Sequence, residues 1–480
     1  MPTLATAIAA LQTFEPRGLT GRVLRSRGML LHAVDLPAPV GSLVSVHPAR
    51  EAERPVLGEV VGCDDDGAMI MLFQSSRGLA AGDRVVALTN AQTVNVGPGL
   101  LGRVINGLGE PIDGRGPIGM TTPQLLVPPP LSALDRRPIA EPLSTGVRPI
   151  DGMLTVGRGQ RLGIFAGPGV GKSTLLGSMA RNTSATASVI ALVGERGREV
   201  RDFIDHALGP EGLARSVVVV ATGDESPLVR VRAALVATAV AEYLRNHGLD
   251  IVLMMDSVTR FCQAQRQIGL AVGEPPATRG YTPSVFAQLA GLLERAGQIE
   301  NGGSITGFYT VLVEGDDMTE PVSDAARGIL DGHIALSRKM ANRGHYPAID
   351  VLDSVSRVAR EVSTPTQNQA RTQIVRTVAE YAEVEELVNL DAYVKGSNPR
   401  FDVAIDFKPR IDAFLQQDAR EAVSYETTTQ QLTQLALEIG HALNTPSVPA
   451  TPASAGRAAR GDAPRARPGG ARATGDGRAN

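Results

Sequence analysis

The chain has 480 residues, room for about two to four domains, with 43% apolar residues and a formal net charge of −3. That charge balance gives no global argument for a nucleic acid or an anionic membrane as partner, and no apolar run approaches the length of a membrane span. The two cysteines, Cys63 and Cys262, exclude a disulfide framework and fit a reducing compartment.

Residues 1–18 place Leu4, Ile8 and Leu11 on one face of a short helix. No Lys or Arg precedes them, so a signal peptide is not expected. Residues 19–93 hold short alternating stretches, among them Gly21–Leu24, Leu43–Val46, Met69–Leu72 and Arg84–Leu88, punctuated by Gly and Asp. Many short strands at this spacing predict a small β-barrel. Residues 94–360 alternate strand and helix patterns, which predicts an α/β domain on a mostly parallel sheet. Within it, Ser226-Pro227 reads as a helix cap with Pro at the first helical position, and Gly248 as the end of that helix. Residues 361–445 carry helical apolar spacing and predict a helical domain. Residues 446–480 are Pro, Gly, Ala and Arg with almost no large apolar side chains, a basic tail that cannot bury enough surface to order itself.

Chemistry enters at Ile164-Phe165-Ala166-Gly167-Pro168-Gly169-Val170-Gly171-Lys172-Ser173-Thr174. An apolar strand pattern runs into a glycine-rich turn and leaves through Lys-Ser-Thr into a helix. This is the pattern of a phosphate-binding loop, in which backbone N–H groups cradle the anion. Lys172 then reaches the β- and γ-phosphates of ATP and the Ser173 hydroxyl holds Mg²⁺. Ala166 stands where the pattern begins with Gly. Downstream, Asp250–Asp256 reads as a buried strand ending in a carboxylate, the place for an Mg²⁺-side acid. Val189–Val193 is a strand pattern followed at once by Gly194-Glu195-Arg196-Gly197-Arg198-Glu199. On local pattern alone, Glu195 is either a water-orienting acid or part of a solvated charged turn.

These motifs stand in one order with several others: Gly146-Val147-Arg148-Pro149-Ile150-Asp151, Gly157-Arg158-Gly159-Gln160-Arg161, Asp256-Ser257-Val258-Thr259-Arg260-Phe261, Pro321–Arg327, Tyr346–Asp350 and Ser354-Val355-Ser356-Arg357. Over residues 20–445 the chain resembles the type III secretion ATPases, most of all their flagellar export branch, relatives of the rotary ATP synthase catalytic subunit. The resemblance implies a P-loop, RecA-like α/β ATPase domain between the N-terminal barrel and the C-terminal helices. It implies Glu195 as the catalytic glutamate, Lys172 with Ser173 or Thr174 on phosphates and Mg²⁺, and Asp256 as the Mg²⁺-side acid. It makes Arg357, otherwise an ordinary surface arginine, an arginine finger reaching a neighbouring protomer. It makes Tyr346 an adenine-stacking wall, with Phe414 as the other wall. Arg260 is either a phosphate-positioning group or a structural ion pair.

The same resemblance implies a homohexamer, a coiled-coil stalk protein in the central channel beside the loop 273–283, and a regulatory stator protein bound at the N-terminus. It implies delivery of exported subunits or their chaperones to an export gate, by a cytoplasmic protein peripheral to the inner membrane. The acidic turn typical of a synthase catalytic subunit is replaced by Ala392–Arg400, which favours the secretion branch. An injectisome ATPase shares every one of these motifs. No nucleic acid is expected as partner: an RNA translocase needs aromatic stacking platforms in its barrel, and residues 19–93 contain Phe73 with no Tyr or Trp.

Overall fold

The computed structural model describes residues 18–49, 54–89, 92–313 and 317–444. The helix expected before residue 18 and the basic tail from 446 lie outside the described residues.

Among the described residues six strands close the N-terminal barrel: β1 (Thr20–Arg27), β2 (Leu30–Val34), β3 (Leu43–His47), β4 (Val56–Asp64), β5 (Gly67–Leu72) and β6 (Arg84–Thr89). Their order is β1-β2-β5-β4-β3-β6, all pairs antiparallel, with β6 returning to β1. Alternation turns Val23, Leu31, Val44, Val60, Ile70 and Val85 inward, and closure leaves no free edge. Phe73, just past β5, is 4% exposed and packs under the Arg232 guanidinium, 5.8 Å from the ring centroid. It is a core side chain and offers no face on which a base could stack.

A ribbon of β7 (Thr93–Val96) and β9 (Thr122–Leu125) leads into the central sheet. That sheet is built from β8 (Val104–Asn106), β10 (Arg161–Ala166), β11 (Ala187–Glu195), β12 (Ser216–Thr222), β13 (Asp250–Asp256), β15 (Ser304–Leu312), β16 (Gly332–Leu336) and β17 (Ile349–Ser356). The order is β17-β16-β10-β15-β13-β11-β12-β8, with the short β14 (Gly297–Gln298) paired to β15. Neighbours along that order are parallel except β16 and β17. Residues along β15 and β11 are buried almost throughout, as expected of parallel strands covered on both faces.

The covering helices are α1 (Lys172–Asn182), α2 (Pro227–Asn246), α3 (Val258–Ala271), α4 (Pro283–Leu293) and α5 (Pro321–Ile329). Helix α2 starts as its sequence predicts: the Ser226 side chain accepts from the Val229 N–H, and Gly248 ends the turn at φ +84°. Helices α6 (Pro365–Asn389), α7 (Pro399–Leu415) and α8 (Tyr425–Asn444) form the C-terminal domain. Ile374, Ile411, Leu432 and Ile439 join their core to that of the sheet.

Strand direction places the chemistry. Strands β10, β11 and β13 run in parallel, so the P-loop, Glu195 and Asp256 emerge at one edge of the sheet, where α/β folds bind ligands. Strand β17 runs the other way. Ala166 lies level with Leu336 of β16, whereas Ser356 lies opposite Gly332 at that strand's start. Arg357 therefore leaves the sheet at the far end, about 13 Å further along the strand direction.

Candidate active site

Strand β10 ends at Ala166, and residues 167–171 wrap into α1. Gly169 has φ +78° and Gly171, which caps the helix, φ +90°. An L side chain there costs about 1–2 kcal/mol. Space is not the constraint, since a Cβ on Gly171 would sit 3.5 Å from the Tyr346 ring. Ala166 is 1% exposed and belongs to the strand, so its methyl packs in the core and leaves the N–H cradle unaltered. Ser173 and Thr174 are exposed in the first turn of α1.

Lys172 Nζ donates to Asp256 Oδ1 at 2.6 Å and lies 3.7 Å from Glu195 Oε1. Asp256 is 2% exposed. Thr310 on β15 also donates to its Oδ1, at 2.7 Å, so Oδ2 takes neither bond. A buried carboxylate with one oxygen pinned and the other spare, beside two helix-terminal hydroxyls, is a donor set suited to hydrated Mg²⁺. Burial pushes the Glu195 carboxyl up to about 7, Asp256 adds repulsion, and the Lys172 ammonium opposes both. Replacing Thr310 with valine removes the hydroxyl bond and is expected to destabilise the nucleotide-free protein by about 1–2 kcal/mol. A chemical denaturation midpoint unchanged from wild type would show that this bond contributes nothing.

The Glu195 turn is set by Gly194, at φ +74°. A Cβ there would come within 2.9 Å of Arg260 Cβ, so the Arg260 stem lies directly against the turn. Arg260 Nη1 donates to Gln263 Oε1 at 3.4 Å. Arg260 forms no carboxylate ion pair among the described residues, which disfavours the structural ion pair.

A cleft of about 360 Å³ opens beside the P-loop, lined by Val147, Val170, Gly171, Tyr346, Gln417 and Asp418 among others. Tyr346 stands at its rim, 46% exposed. The structure does not bring Phe414 to this cleft. Phe414 is 5% exposed and its ring presses on Gly152, where a Cβ would lie 2.9 Å from Cζ. Its apolar ring is used in the core between the sheet and α8. Residues 417–419, just beyond it in the chain, line the cleft instead. Gln417 anchors that segment: its N–H donates to the Tyr346 carbonyl at 3.0 Å, its Nε2 to the Gly146 carbonyl at 2.8 Å, and its Oε1 accepts from the Arg148 N–H at 2.7 Å. Sequence reading missed Thr310 and Gln417. Thr310 lies in a fully buried stretch of β15, where a hydroxyl is a signal that a polar partner waits nearby, although Ser304 and Thr306 on the same strand carry the same signal. Gln417 carried no local signal.

Arg357 is exposed; its N–H bonds the Asp331 carbonyl at 3.0 Å, and among the described residues its side chain makes one long bond, from Nη2 to the Arg327 carbonyl at 3.4 Å. Among the described residues it has no carboxylate partner, and it stands at the sheet edge opposite Lys172.

A glycine-rich anion loop, a lysine between two carboxylates and a cleft beside them define a P-loop ATPase. Residues 146–356 match the ATP synthase alpha/beta family nucleotide-binding domain, and residues 363–434 match the T3SS EscN ATPase C-terminal domain. The chain is 51% identical to the flagellum-specific ATP synthase of Treponema pallidum, over 89% of this chain and 95% of that one. It is 49% identical to the type 3 secretion system ATPase of Xanthomonas euvesicatoria, over 86% and 93%. Its fold matches the assembled ATPase EscN of enteropathogenic E. coli, solved in complex with its central stalk EscO, with TM-score 0.80 and 40% identity, covering 87% of this chain and all of that one. The chain belongs to the family of flagellum-specific and type III secretion ATPases.

Proposed function

We propose that this ATPase works as a homohexameric ring that energises protein export through a flagellar type III secretion system. ATP with Mg²⁺ binds at the P-loop edge. Ser173 or Thr174 and the spare oxygen of Asp256 would hold Mg²⁺, which would supply charge neutralisation for the phosphates. Lys172 leaves the carboxylates for the β- and γ-phosphates, and the loop N–H groups hold the rest. Glu195, its carboxyl raised by burial, orients the attacking water and takes its proton. Arg260, lying on the Glu195 turn, steadies the γ-phosphoryl group. Tyr346 and the strap 417–419 enclose the base.

The observation that carries the reading is the position of Arg357. It lies at the far edge of the sheet from Lys172, so a site containing both is drawn from two copies. Every copy offers one P-loop edge and one arginine, and head-to-tail contacts that close into a ring complete all sites alike. An arginine arriving from a neighbour stabilises transition-state charge and makes hydrolysis conditional on assembly.

The flagellar branch is favoured by the Treponema relative. The injectisome branch is the second reading, supported by the Xanthomonas relative and the EscN fold. A stalk in the channel is supported by the EscN complex with EscO. A stator protein at the N-terminus, an export gate with its cargo or chaperones, and a peripheral place at the inner membrane complete the proposal. No described helix is long and apolar enough to cross a membrane. The test is ATP turnover against protein concentration: specific activity is expected to rise as rings form. Turnover strictly proportional to protein, from monomer through hexamer, would remove the two-copy site.

A further inference from the structure

Gln160 lies one residue before β10, the strand that delivers the P-loop, yet its amide is committed at the other end of the sheet. It is wholly buried, with no exposed surface. Its Oε1 accepts from the Gly157 N–H at 2.9 Å. Its Nε2 donates to Ser356 Oγ at 3.0 Å and, more weakly, to the Asp331 carbonyl at 3.4 Å. Ser356 is the residue immediately before Arg357, and its hydroxyl donates in turn to the Thr155 carbonyl at 3.4 Å. The same Asp331 carbonyl accepts from the Arg357 N–H at 3.0 Å. One buried amide thus grips both points from which the arginine backbone hangs.

Its oxygen braces the Gly157 turn, and its donors are aimed at the segment that leads to Arg357. The Asp331 carboxylate is taken by Arg161, which binds it through its backbone N–H, Nε and Nη2 at 3.0–3.1 Å. The Gln160 N–H closes the turn onto the Gly157 carbonyl at 3.1 Å. A side chain whose donors reach only Ser356 Oγ and the Asp331 carbonyl orients the segment that follows them. Beyond Cα, Arg357 has among the described residues only its long bond to the Arg327 carbonyl, so the direction in which it leaves the sheet is set by its backbone.

We propose that Gln160 is the positioning residue for Arg357, holding the arginine's backbone in the pose from which it reaches the neighbouring protomer's site. This rests on the two-copy reading of the active site. Gln160 touches no substrate. It acts in the site of the neighbour, although it immediately precedes the strand that carries its own protomer's P-loop. A group that must be placed to within a fraction of an ångström loses much of its effect when its support is removed.

The test separates damage in cis from damage in trans. Gln160→Leu removes the amide, and Ser356→Ala removes its acceptor while leaving Gln160 bound to the Gly157 N–H and the Asp331 carbonyl. Each is expected to lower kcat about tenfold or more with KM for ATP unchanged. Each variant is then mixed in equal amounts with Glu195→Gln protomers, whose own turnover is lower by about 10²–10⁴-fold but which carry intact arginines. Random rings give about half of the variant's sites an intact neighbour, so turnover per variant protomer should recover to about half the wild-type rate. Arg357→Ala mixed in the same way is the reference. Recovery with Arg357→Ala but with neither Gln160→Leu nor Ser356→Ala overturns the proposal, because the loss then lies in the variant's own site. No recovery even with Arg357→Ala overturns the two-copy site itself, and the proposal with it.

Discussion

Arg357→Ala is expected to bind ATP with near wild-type affinity and to lose about 10³–10⁵-fold in turnover under conditions where rings form. Little in its own protomer depends on the guanidinium: the side chain is exposed, unpaired with any described carboxylate, and makes one long bond among the described residues, to the Arg327 carbonyl. Folding and nucleotide binding should therefore survive. The loss belongs to the transition state, where charge spreads over the γ-phosphoryl oxygens and a cation from outside the protomer meets it. Single-turnover hydrolysis alongside equilibrium nucleotide binding reads the two separately. Wild-type turnover in the assembled variant would strip Arg357 of its role.

Glu195→Gln should keep nucleotide binding and lose about 10²–10⁴-fold in kcat, the usual worth of a positioned base. The substitution is nearly isosteric and removes a negative charge 3.7 Å from Lys172, which leaves the lysine no worse placed for phosphate. The acid also predicts a pH profile. Its carboxyl is raised to about 7 by burial, with Asp256 adding to the shift. The base works only when deprotonated, so kcat/KM should fall as pH drops through about 7 and level off above it. The glutamine variant should show no such step. A step that persists in Glu195→Gln would belong to another group.

Much of this was legible in the chain because the signals are local. Gly167–Thr174 is contiguous, and its meaning depends on φ angles and N–H directions over a few residues. Strands ending in Glu195 and Asp256 could be read from apolar runs that stop at an acid. The barrel was legible from its turns, although β2 and β4 were not singled out. The misplaced residue was Phe414. An apolar ring near the end of α7 suits a base-stacking wall or a core equally well, and the choice depends on what packs across from it. Gly152, some 260 residues earlier, leaves the space that Phe414 fills.

By itself, then, the sequence determined the phosphate loop, the acids at strand ends, the layered α/β plan and, through its ordered motifs, the family. Tertiary structure decided which groups meet. Thr310 and Lys172 share one oxygen of Asp256, Gln417 closes the cleft, and Gln160 reaches across to the base of Arg357. It also decided that Lys172 and Arg357 stand at opposite ends of one sheet. The reason is that periodicity and turn chemistry act over a few residues, whereas strand order and direction are settled by burying faces far apart in the chain.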